Sequence, residues 1–168
     1  MKQVFLKNKP AFVVASLVFL LAFSLFYWWF SRPSLDLAEG KKQAKIFING
    51  AEFSAGVALS SKEMYRGLSG TKAICDSCGL LFVFPDSQER VFVMRDMAYP
   101  LDIVFINHGQ ISNVLENLPP DPAGLSEGDR PLYRSQGKAD RVLELAAGTA
   151  AKWGMKKGDE VSMIIYEY

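Results

Sequence analysis

The sequence predicts a mainly β domain, closed as a compact barrel or sandwich with two short helices and preceded by one transmembrane helix. Three observations lead there. The stretch from Gly79 to Ile106 holds the apolar runs Leu80–Phe84, Val91–Met94 and Leu101–Ile106, separated by polar turns at Pro85–Arg90 and Arg95–Pro100. Runs this short, rich in Val, Ile and Phe, read as buried strands. Asn49-Gly50 between two apolar alternations marks a hairpin, because both residues tolerate positive φ. Ala11–Phe30 is apolar throughout apart from Ser16 and Ser24, and its length matches the roughly 20 residues a helix needs to cross hydrocarbon.

Composition narrows the function classes. The 168 residues carry 19 basic and 18 acidic side chains, a net charge of +1. A nucleic-acid-binding module would show a basic excess, so nucleic acid is not an expected partner. Two cysteines and one histidine fall short of a tetrahedral zinc site within the chain unless a carboxylate completes it. No metal and no cofactor is expected.

Taken in order, residues 1–10 form a tail with Lys2, Lys7 and Lys9, and 11–30 form the span. Tyr27, Trp28 and Trp29 close it as an interfacial aromatic belt. A cleavable signal peptide would have a shorter apolar core and a small-residue processing site. Large aromatics and Arg32-Pro33 stand there instead, so the anchor is expected to be retained. The lysines before the span and Arg32, Lys41, Lys42 and Lys45 after it nearly balance. The short tail with lysines close to the span favours an inside N-terminus. The chain then sits in the inner membrane with its domain facing the periplasm or cell exterior. Residues 31–43 read as a polar linker and 44–168 as the β domain.

Within the domain, Ile46–Ile48 and Glu52–Ala58 flank the Asn-Gly turn. Ser60 with Glu63 makes a capping box for a short helix to about Leu68, ended by Gly67 and Gly70. Cys75 and Cys78 lie on a loop entering the next strand. Such a pair can be half a zinc site, a redox centre or a local disulfide. A second pair is missing, and the motif runs into a strand rather than a helix, so the disulfide is favoured. Asp102 is a lone carboxylate in an apolar strand, a placement that costs several kcal/mol, on the order of the buried-charge penalty, unless it is paired or at the strand mouth. Asn107-His108-Gly109 turns into Ile111–Leu118, where His108 is read as solvated. Pro119–Lys138 is a long irregular loop carrying Tyr133 and Arg134 as candidate docking contacts. Val142–Leu145 is a strand, Thr149–Trp153 a short helix, and Val161–Tyr166 the last strand.

Arg66-Gly67-Leu68, Gly79–Phe84, the Phe92–Met97 and Pro100–Ile106 unit, Val142–Leu145, Ala147-Gly148-Thr149, Gly154 and Gly158-Asp159 together resemble the bacterial and archaeal family called domain of unknown function 192, over Phe47 to Ile164. The resemblance implies a β fold and no settled activity, with Arg66 turned back toward the barrel. Many members read Trp-Met-Lys-Asn-Thr where Val93–Met97 stands here, and many carry paired cysteines in the long loop, which this chain lacks.

Arg66, Arg95, Asp96 and Asp102 form the candidate site, as a cradle for a small polar ligand or as an ion-pair network locking the fold. The first functional reading is a membrane-anchored, non-catalytic accessory or structural subunit whose partners are the bilayer and other integral membrane proteins. The alternatives are an envelope small-ligand-binding domain and a thiol–disulfide redox protein using Cys75 and Cys78.

Overall fold

The computed structural model describes residues 42–166. The predicted anchor, with Tyr27, Trp28 and Trp29, and most of the linker lie outside the described residues. Among the described residues no helix is long and apolar enough to cross a membrane.

Seven strands make one sheet: β1 (Gln43–Ile48), β2 (Ala51–Ala58), β3 (Cys78–Phe92), β4 (Leu101–Asn107), β5 (Gln110–Leu118), β6 (Tyr133–Ala146) and β7 (Val161–Tyr166). Helix α1 (Ser61–Arg66) connects β2 to β3, and α2 (Thr149–Lys152) connects β6 to β7. The spatial order is β5-β4-β6-β3-β2-β1-β7, antiparallel except where β2 runs parallel to β3 across the α1 crossover.

The sheet is not closed, which corrects the expected barrel or sandwich. Its edge strands β5 and β7 meet at one end only, through the bridge Gln110–Glu160 and the bonds Ile111 N–H to Asp159 C=O (2.9 Å) and Val161 N–H to Gly109 C=O (2.8 Å). Beyond that bridge no β5–β7 ladder forms among the described residues.

Local chemistry explains the connections. Asn49 and Gly50 both adopt positive φ at the β1–β2 turn. Ser60 and Glu63 complete the capping box of α1, and Gly67 ends it at φ 51°. Two expectations fail because long-range pairing overrides them. Pro85–Arg90 is not a turn between strands; it belongs to β3, where the register against β6 slips between Val83 and Gln88. The irregular stretch lets Pro85 sit without a ladder bond. Tyr133 and Arg134 are not in a loop; they open β6, opposite Phe92 and Val91. The loop ends before Tyr133 and contains one turn of 3-10 helix, Glu127–Asp129.

Both faces of the central strands are buried, which is why their sequences run nearly all apolar. One core holds Ile46, Ile48, Phe53, Leu81, Val104, Ile106, Leu143 and Leu145. The other holds Leu68, Leu80, Phe82, Met94, Ile103, Phe105 and Val142, beneath α1.

Candidate functional site

Strand β6 alternates between these cores. Leu143 and Leu145 enter the first and Val142 the second. By the period of two, Glu144 shares the face of Val142. It stands between Leu80 of β3 and Ile103 of β4 and is 5 % exposed. Its Oε2 has no hydrogen-bond partner among the described residues. Burial pushes the carboxyl up to about 8, so it is mostly protonated at neutral pH.

Above Glu144 lies a partly open cavity of about 250 Å³, walled by α1, β3 and the turn before β4. Met64, Phe82, Phe84, Phe92 and Leu101 give it apolar walls. Gly67 keeps it open: a Cβ there would come within 3.5 Å of Phe82 Cζ and 3.9 Å of Glu144 Oε2. Phe82 and Phe92 meet edge to face at 5.0 Å, fixing one wall. Tyr99 lies nearby, bonded to Thr71 Oγ1 at 2.7 Å; burial raises its pKa, opposed by that bond and assisted by Glu144.

Three arginines line the mouth, and two are committed. Arg90 stacks on Phe84 with its carbon 3.9 Å from the ring centroid and pairs with Asp86. Arg95 makes a forked pair with Glu127 (2.8 and 2.6 Å), donates to the Tyr65 carbonyl (3.0 Å) and lies over the Tyr65 ring. The Arg95 bond holds the Glu127 carboxyl below its ordinary range. Arg66 is exposed and makes no ion pair among the described residues.

The profile of DUF192, described as an uncharacterized ACR, matches residues 44–163. The chain belongs to the DUF192 family. No curated protein matches it. Two solved structures are similar to this chain in fold. One, from Sinorhizobium meliloti 1021 and described as a proposed transcription regulator, has 25% identity and a TM-score of 0.65, covering 75% of this chain and 96% of its own. The other, a protein of unknown function from Novosphingobium aromaticivorans, has 28% identity and a TM-score of 0.62, covering 71% and 83%.

Within this DUF192 domain the four predicted site residues are not brought together. Arg66 and Arg95 reach the cavity mouth. Asp96 is exposed in a turn at φ 51°, its carbonyl accepting from Gly70 N–H. Asp102 is fully buried and touches neither arginine. Its Oδ1 accepts from Asn117 N–H and its Oδ2 from Ala150 N–H, each at 2.8 Å. It ties β5 to the start of α2, supplying a cap that Gly148 cannot. Cys75 and Cys78 form a disulfide in the turn entering β3. Arg134 pairs with Glu89 at 3.6 Å, and burial raises the pKa of Tyr133. His108 stands exposed beside Asp140 and does not line the cavity. Among the described residues no group of three or more His, Cys, Asp or Glu side chains is placed to hold a metal. Glu144 was the residue that sequence reasoning passed over. Its local pattern does not mark it, because a polar residue between Leu143 and Leu145 also fits a strand with one face in water.

Proposed function

We propose that this chain is a non-catalytic small-ligand-binding domain, tethered to the inner membrane by Ala11–Phe30 with the domain on the periplasmic side. The observation that carries the binding reading is Glu144, a buried carboxyl with an unpartnered oxygen facing an apolar cavity. Buried polar atoms without partners are rare because each costs stability, and a ligand that completes the bond accounts for one kept at the floor of a pocket. The one serine of the lining, Ser69, donates its hydroxyl proton to the Arg95 carbonyl at 2.7 Å. The Cys75–Cys78 disulfide supports the oxidising compartment. The transcriptional role named for the Sinorhizobium protein is not adopted, since charge is balanced here.

The test compares full-length wild type with Glu144→Leu in nanodiscs, by thermal shift against a set of small amphipathic compounds. Some should stabilise the wild type and leave the variant unmoved. Equal responses to every compound would overturn the reading.

The accessory-subunit reading stands second. It draws on edge strand β7, where Ile164 and Ile165 are 60% and 41% exposed and offer an apolar surface to a partner. Purification from native membranes decides it, since migration of the chain alone would remove it.

A further inference from the structure

We propose, resting on the binding reading above, that the occupant is a small monocarboxylate, its head group held between Glu144 and Arg66 and its apolar body against Phe82, Phe84 and Phe92. Three features of the cavity lead to this class. The first is what the floor requires. A neutral carboxyl offers one O–H donor, so the ligand must bring an acceptor oxygen; a carboxylate makes the strongest such bond, O–H to O⁻. The second is the charge of the mouth. Apart from Glu144, every charged side chain in the lining is an arginine, and Arg66 alone is without an ion-pair partner among the described residues. A guanidinium grips a carboxylate through two parallel bonds and repels an amine.

The third is shared access. Arg66 and Glu144 line the same cavity, and Gly67 between them carries no side chain, where a Cβ would lie 3.9 Å from Glu144 Oε2. The cavity of about 250 Å³ has room for about eight waters at liquid density, which suits a ring on a short chain. Binding moves no proton: Glu144 and Arg66 keep theirs and the ligand enters as its anion.

The experiment uses three compounds on one skeleton, 3-phenylpropionate, 3-phenylpropanol and 3-phenylpropylamine, titrated calorimetrically into the full-length chain in nanodiscs at pH 7, with empty nanodiscs as reference. The acid should bind tightest and the amine weakest. Arg66→Ala should weaken the acid about tenfold and leave the alcohol unchanged, as expected for loss of one charge-assisted contact. Glu144→Leu should weaken both acid and alcohol. An amine that binds as tightly as the acid, or an Arg66→Ala variant that keeps the acid's advantage, overturns the monocarboxylate class while leaving the pocket reading intact. No saturable binding by any of the three overturns both.

Discussion

Asp102 and Glu144 are both carboxylates sunk among aliphatic side chains, yet the fold treats them oppositely. Asp102 receives two backbone N–H donors, Asn117 and Ala150. Asp102→Ala leaves the Ala150 N–H buried without an acceptor and the Asn117 N–H part-exposed to solvent, and should cost about 2–4 kcal/mol, read from denaturant midpoints. Glu144 receives no donor to Oε2, and its pKa rises from 4.5 to about 8. Between those values the folded protein holds a proton that the unfolded chain has released. The Glu144 contribution to stability is therefore full below about pH 4.5 and is lost as pH rises toward 8, an effect of roughly 5 kcal/mol. Glu144→Gln should abolish that slope in melts taken across the range, and an unchanged slope would show that another group titrates. The sequence pointed at Asp102 because its neighbours leave no polar face for it. Glu144 escaped because a lone polar residue between Leu143 and Leu145 also fits a strand with one face in water, where it would turn outward. Only the sheet order, which sets β6 between β3 and β4 with both faces covered, turns that polar position inward.

At the scale of elements, α1 is short and depends on what it rests against. The Asn-Gly turn and the capping box were legible because the residues that make them are neighbours in sequence. Pro85 and Tyr133 were misread because β3 and β6 settle their conformation from far along the chain. Arg95 joins the end of α1 to the 3-10 turn through Tyr65 and Glu127. Arg95→Ala should speed hydrogen exchange in α1 and across 119–132 while leaving β4 and β6 protected. Gly67→Ala places a Cβ where φ is 51° and against Phe82. It should cost about 1–2 kcal/mol and narrow the cavity, measurable as weaker ligand binding. The Cys75–Cys78 bridge spans a tiny loop, so its reduction should lower stability by only about 2 kcal/mol, seen by comparing melts with and without reductant.

Among the described residues, the second core is one wall of the cavity, so stability and the proposed binding draw on the same side chains. The β character of the fold was readable from its short apolar runs, whereas closure was not, since no local pattern reports whether two edge strands run together or apart. The pairing of β1 with β7, Gln43 opposite Tyr166, has a consequence for how the protein is made. The first strand to be synthesised finds its outer partner only when the last of the seven has emerged from the ribosome. Until then β1 presents a bare edge and Ile46 and Ile48 lack part of their cover. Completion of the fold therefore waits on translation, and the sheet stays unfinished for nearly the full length of the domain. Nascent chains halted before Val161 should be cut readily by protease, and those released after Tyr166 should resist it.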